Sequence, residues 1–267
     1  MSCLHATMLP APTSRDPWKD LYSSDDFVRY YAGKTLLQRP EQVILDHLAG
    51  ALHGADVLDL GVGGGRTTPH LARRCRRYVG VDYAAPMVEA CRKRFAALSL
   101  ERDVRFEVAE ARELPFAQAS FDVVVFSFNG LDVVDRIDRL RALAECRRVL
   151  RPGGLFVHSS HNLNWTERRR AIGWSGWRAT WEAWRFWSMV RRLNADRWPF
   201  HGESLMELID DERGARTCYV RPGAHLAQLQ ASGFTPVEAF DLEGRRAADA
   251  AALGRLSDPW IYYLCRG

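Results

Sequence analysis

No uninterrupted apolar run in the sequence approaches the roughly 20 residues that a bilayer-spanning helix needs, so a transmembrane helix is excluded. The first 17 residues, with Pro10, Pro12 and Pro17 among small and polar neighbours, lack the apolar centre of a signal peptide. The six cysteines (Cys3, Cys75, Cys91, Cys146, Cys218, Cys265) contain no C-x-x-C pair and share no metal-ligand spacing with the histidines. Reduced, buried thiols and no metal site follow. Neither sign of charge dominates: 37 basic side chains stand against 33 acidic ones, a net +4, so nothing global calls for nucleic acid or an anionic membrane. Internal repeats and low-complexity tracts are also missing. The expectation is a soluble cytoplasmic protein with no membrane partner.

What is present is an alternation. A chain of 267 residues is long enough to bury one large α/β core. Residues 1–17 read as a flexible arm, and residues 18–53 as N-terminal helices. Ser23 and Ser24 ahead of Asp25 and Asp26 predict a helix over Asp26–Ala32, and Pro40 opens a second whose apolar face carries Val43, Ile44, Leu48 and Leu52. Strands follow at Ala55–Leu60, Arg77–Asp82, Val104–Val108, Phe121–Phe128 and Leu155–Ser160. Helices separate them at Arg66–Arg74, Ala85–Leu98 and Val134–Leu150, and Arg151-Pro152-Gly153-Gly154 reads as a turn. This order requires right-handed crossovers and a mostly parallel sheet. The rhythm stops at Asn162 and resumes with a helix over Arg221–Ser232 and strands at Thr235–Leu242 and Trp260–Cys265, leaving residues 162–220 as a helical insertion.

The densest signal is Val57–Thr68, where an apolar strand runs into Gly61, Gly63 and Gly65 with Asp59 ahead of them. Such a loop brings a ligand close to bare backbone. A dinucleotide fingerprint needs a third glycine that lets the helix pack beside a pyrophosphate, and Arg66 holds that position here. Asp59 also disfavours a pyrophosphate. A nucleoside carrying a sulfonium fits better. Asp82 ends the second strand, where a carboxylate accepts from both ribose hydroxyls, and Tyr83 and Met87 supply an aromatic face and a thioether to flank an adenine. Glu110 and Ala111 follow the third strand, an acid for an exocyclic amine and a backbone N–H for a ring nitrogen.

With these blocks in order, the sequence resembles the class I S-adenosylmethionine-dependent methyltransferases over residues 57–160 and again over 219–265. Val-Leu-Asp-Leu-Gly-Val-Gly-Gly-Gly-Arg, Val-Gly-Val-Asp-Tyr-Ala-Ala-Pro-Met-Val and Glu-Ala-Arg-Glu-Leu-Pro-Phe carry the resemblance, with Arg-Val-Leu-Arg-Pro-Gly-Gly-Leu behind them. It implies an α/β, Rossmann-like, seven-stranded, mostly parallel sheet with a C-terminal antiparallel hairpin. It also implies S-adenosyl-L-methionine with its methionine over Gly61 and Gly63, its ribose on Asp82 and its adenine near Met87, Glu110 and Ala111; Phe128, the last residue of the fourth strand, joins the cofactor wall. Most relatives carry Asp where this chain has Glu110. The implied activity is methyl transfer to oxygen, nitrogen or carbon of a small-molecule acceptor. Two other readings stay open: a protein or RNA methyltransferase that docks through the insertion, and a non-catalytic cofactor-binding subunit.

Acceptor chemistry belongs at the carboxyl ends of the strands. His161 is the candidate base or orienter there, beside Asn129 and Asp132, although Asp132 also reads as a helix cap and His158 as a core residue. Tyr30 and Tyr31 lie on a helix that would close over the cofactor. In the insertion Trp174, Trp177, Trp181 and Trp184 recur at helical spacing with Arg178 and Arg185 beside them, a stripe expected to pack on the core or to form a homodimer.

Overall fold

The computed structural model describes residues 17–134, 136–169, 177–195, 205–209 and 216–267. The arm therefore lies almost wholly outside the described residues, as does Trp174. Four helices lead in: α1 (Pro17–Tyr22), α2 (Asp25–Gly33), α3 (Arg39–His47) and α4 (Ala49–Leu52). The alternating unit is β1 (Asp56–Leu60), α5 (Thr68–Leu71), β2 (Arg77–Asp82), α6 (Ala85–Arg94), α7 (Ala96–Glu101), β3 (Asp103–Val108), β4 (Phe121–Phe126), α8 (Arg136–Val149) and β5 (Leu150–His161). Then come α9 (Leu163–Arg169), α10 (Trp177–Leu193), β6 (Leu205–Ile209), β7 (Arg216–Val220), α11 (Pro222–Ala231), β8 (Thr235–Phe240), α12 (Ala250–Arg255) and β9 (Trp260–Arg266).

Seven strands form one sheet in the order β3-β2-β1-β4-β5-β9-β8, parallel except that β9 runs antiparallel to both β5 and β8. The order reverses between β1 and β4, which puts the switch-point crevice at the carboxyl ends of those two strands. Strand residues alternate between the two faces. Leu58 and Leu60 join a core that includes Leu143 of α8 and Leu229 of α11, while Val57 joins one that includes Ile44 of α3 and Val88 of α6.

The structure changes several sequence boundaries. The helix expected over 66–74 shrinks to the four residues of α5, because left-handed backbone at Gly61, Gly63 and Gly65 prolongs the loop. The helix expected over 85–98 breaks at Phe95 into α6 and α7. Arg151–Gly154 lies inside the long strand β5, where a register shift against β4 absorbs it as a bulge with Gly153 at φ +76°. The insertion adds to its helices an antiparallel pair, β6 with β7, where a largely apolar Leu-Met-Glu-Leu-Ile run pairs with a β-branched and aromatic Thr-Cys-Tyr-Val run.

Candidate active site

The loop after β1 is fixed from three sides. Asp59 is fully buried and its carboxylate accepts from Thr67 Oγ1 at 2.5 Å and Tyr78 Oη at 2.6 Å. Burial pushes its pKa up to about 6 against these two donors. Asp82, at the end of the neighbouring strand β2, accepts the Gly63 N–H at 2.9 Å through one oxygen and the Ala84 N–H at 3.0 Å through the other. Its pKa is also pushed up to about 6 by burial. On the third side α2 lies directly on the loop: a Cβ at Gly64 would fall into the backbone of Tyr31 and Ala32, so only glycine fits.

Arg66 closes the loop with a buried charge. Both terminal nitrogens of its guanidinium bind the Glu41 carboxylate of α3, at 2.5 and 2.7 Å, and one reaches Ser127 Oγ at 3.3 Å. The guanidinium carbon also sits 4.9 Å from the Phe128 ring centroid. Burial alone would raise the Glu41 pKa, but the Arg66 pairing outweighs it and holds the carboxyl below its ordinary range. Glu41 also accepts the Gln38 N–H at 2.7 Å, so one carboxylate ties the start of α3 to the loop.

These elements surround a cavity of about 810 Å³ at the switch point, near the upper end of the roughly 300–1,000 Å³ range of small-molecule sites. Its walls come from the glycine loop and strand ends (Asp59, Gly61, Gly63, Asp82, Glu110, Ala111), from Trp18 and Tyr22 of α1, and from Leu193, Thr217 and Cys218 of the later chain. Trp18 stacks on Tyr22 with centroids 5.4 Å apart, and Tyr22 meets Tyr31 at 5.6 Å and Tyr83 at 6.2 Å, forming a continuous aromatic wall along the cavity. The Trp18 indole N–H donates to the Arg216 carbonyl at 2.5 Å, which joins the leading helices to the insertion.

Several sequence candidates are placed elsewhere. Met87 is buried in the core, and Gly65 packs so tightly on Phe95 that no Cβ could be added; neither is on the cavity wall. Glu110 is on the wall but accepts from Arg112 at 2.8 Å, and Arg112 in turn holds Asp138 at 2.5 Å, so its carboxylate is already half engaged. Tyr31 faces the cavity, whereas Tyr30 is 53% exposed and off the wall.

Asn129, Asp132 and His161 come together behind the wall, with Phe128 and Gly130 in front of them. Phe128 and Asn129 both adopt left-handed backbone, at φ +56° and +62°, a strained pair in non-glycine residues at the end of β4. Asp132 does not act as the helix cap the sequence suggested. It is fully buried in a 3₁₀ turn, Gly130–Asp132, where one oxygen binds the equally buried Arg139 and accepts from Ser160 Oγ at 2.9 Å. The other accepts the His161 backbone N–H at 2.6 Å and its Nδ1 at 2.9 Å. Burial would raise the Asp132 pKa, but Arg139 and His161 more than offset it and hold the carboxyl below its ordinary range. A proton on Nδ1 leaves His161 Nε2 as an acceptor, 3.2 Å from Asn129 Nδ2. His158 is fully buried, stacked on Phe156 and Tyr263 and bonded to His225 at 2.7 Å, a core histidine.

The sequence reading missed Gly64, Trp18 and Tyr22, and took Arg66 only as a missing glycine. Trp18 and Tyr22 are spaced i, i+4, which marks one helix face but not what it meets.

Residues 57–154 match the family model described as a methyltransferase domain. A probable S-adenosylmethionine-dependent methyltransferase of Mycolicibacterium smegmatis is 36% identical over 46% of this chain and 45% of its own length. The ubiquinone/menaquinone biosynthesis C-methyltransferase of Geotalea daltonii is 36% identical over 38% of this chain and 43% of its own length. The chain thus matches less than half the length of these curated relatives. Among solved structures, the CcbJ methyltransferase of Streptomyces caelestis superposes with a TM-score of 0.61 at 20% identity, covering 92% of this chain and 97% of that one. The 1,6-didemethyltoxoflavin-N1-methyltransferase of Burkholderia thailandensis, solved with 1,6-didemethyltoxoflavin and S-adenosylhomocysteine, gives 0.59 at 18% identity over 97% and 92%. Residues 57–154 are thus similar to a methyltransferase domain, and the chain shares the fold of these solved methyltransferases.

Proposed function

We propose that the protein transfers a methyl group from S-adenosyl-L-methionine to an oxygen or nitrogen, with carbon as the third option, of a small-molecule acceptor held in the 810 Å³ cavity. One observation carries this reading: the Asp82 carboxylate and the glycine loop are locked to each other by the Gly63 N–H and both face that cavity. The residues fit the cofactor. Gly61, Gly63 and Gly64 present bare backbone on the cavity wall, and a Cβ at Gly61 would press on Phe126 at 3.1 Å. Asp82 would accept from the ribose hydroxyls, Tyr83 and Ala111 would flank the adenine, and Glu110 would take its amine beside Arg112. When bound, the cofactor would supply a methyl group on a sulfonium, whose carbon an acceptor lone pair attacks in line as the C–S bond breaks and the neutral thioether leaves.

The protein's part is alignment, exclusion of water and the removal of one proton. Tyr31 and Tyr22 would cover the reacting centre. His161, with Asp132 on its Nδ1 and Asn129 on its Nε2, would act from behind the wall as an orienter that holds the Phe128–Gly130 turn against the acceptor. Relatives named for quinone biosynthesis, and a neighbour solved with didemethyltoxoflavin, support a small organic acceptor.

Calorimetry with S-adenosylhomocysteine tests the cofactor site. Asp82→Ala should weaken binding by about tenfold to a hundredfold, the worth of hydrogen bonds to a charged group; unchanged affinity would sink the assignment. His161→Ala should bind S-adenosylhomocysteine like the wild type yet lose turnover on an acceptor found by screening metabolite extracts.

A further inference from the structure

Helix α10 carries three of its four tryptophans on the outside. Trp177, Trp181 and Trp184 are 83%, 52% and 61% exposed, the reverse of the packing their spacing suggested. Ala183 and Val190 form the buried side, with Phe186 and Trp187 half-buried against Leu163 and Tyr219. The tryptophan face is basic at its edges: the Arg185 guanidinium lies 4.7 Å over the Trp181 ring, and Arg185 and Arg192 are exposed.

We propose that this outward face docks the protein on an anionic lipid surface, with the three indoles at headgroup depth and Arg185 and Arg192 on lipid phosphates. An amphipathic helix that presents tryptophan and arginine together suits that boundary, because the rings take the half-wet zone between acyl chains and water and the guanidinium groups take phosphate oxygens. The charge distribution favours lipid over a second copy of the chain. A second copy would bring the same exposed Arg185 and Arg192 to the contact, whereas an anionic headgroup layer brings the opposite charge. That no helix among the described residues is long and apolar enough to cross a membrane has no bearing here, since an amphipathic helix of this kind lies in the interface without crossing it. The expectation of no membrane partner considered overall charge and spanning segments, and neither reports a local face. Leu193, at the end of the same helix, lines the cavity, so one rigid element carries both the docking face and a wall of the site.

The test is flotation of the full chain with vesicles of phosphatidylglycerol and phosphatidylcholine in equal parts, against phosphatidylcholine alone. The wild type should float with the anionic vesicles and release as salt is raised. W177S/W181S/W184S should lose about tenfold or more of that binding, and R185Q/R192Q should lose its dependence on the anionic lipid. Both variants should bind S-adenosylhomocysteine like the wild type, which shows that they remain folded. A wild type that does not float, or a triple-tryptophan variant that floats equally well, overturns the proposal. So does a wild-type dimer that the triple variant dissolves in light scattering, which assigns the face to a second copy. Capture of polyuridylate by the wild type but not the variant, without flotation, overturns it in favour of RNA.

Discussion

Asp59 and Asp82 are two carboxylates whose burial costs the fold something at neutral pH. Their folded pKa values, about 6 each, lie above the ordinary carboxylate value, so the native state binds more protons than the unfolded chain between about pH 4 and 6. Their contribution therefore favours the fold at the acid end and is lost as pH rises through 6. Asp59→Asn keeps an acceptor for Thr67 and Tyr78 but removes the charge, so relative to wild type it should gain on the order of 1 kcal/mol between pH 5 and pH 8 in urea titrations; no pH-dependent gain would mean that Asp59 is not the buried charge described. Both acids were legible in the sequence from their positions at strand ends. The partners of Asp132 were not. Arg139 lies seven residues on and Ser160 28, and no local spacing rule marks both as partners of one carboxylate, which is why a helix cap looked the simpler assignment.

At the level of elements, the glycine loop is held by what lies on it. Gly64 leaves no space for a side chain beneath α2, whereas a Cβ at Gly50 in α4 meets nothing within 4 Å. Gly64→Ala should therefore cost about 1–3 kcal/mol in denaturant unfolding, by forcing α2 off the loop. It should also weaken S-adenosylhomocysteine. Gly50→Ala should be neutral or gain up to about 1 kcal/mol, as alanine does in a helix. Equal effects at the two sites would refute the close approach of α2. The strands and most helices were readable from their apolar periodicity. The short α5 and the bulge in β5 were not, because each depends on backbone geometry imposed by neighbouring strands.

Across the whole molecule, the cavity is assembled from three parts of the chain: the parallel sheet's carboxyl edge, helices α1 and α2, and the insertion through Leu193 and β7. The Trp18 bond to the Arg216 carbonyl joins the second part to the third over 198 residues of sequence. Binding of S-adenosylhomocysteine should therefore slow hydrogen exchange in α1, α2 and β7 together, and Trp18→Phe should confine that protection to the sheet and α2. Protection of β7 that persists unchanged in the variant would show that this bond does not couple the parts.

The sequence by itself determined the alternating α/β order, the glycine loop and the Asp82 carboxylate, because each follows from spacing within a few residues and from the intrinsic conformational limits of glycine and of strand ends. Only the tertiary structure decided that Arg66 is a buried partner of Glu41, that Asp132 fixes the His161 ring, and that Trp177, Trp181 and Trp184 of α10 face outward. Those three outcomes depend on which surfaces meet across long sequence separations. Helical periodicity marks a tryptophan face, but only packing against Leu163 and Tyr219 settles which side of α10 turns inward.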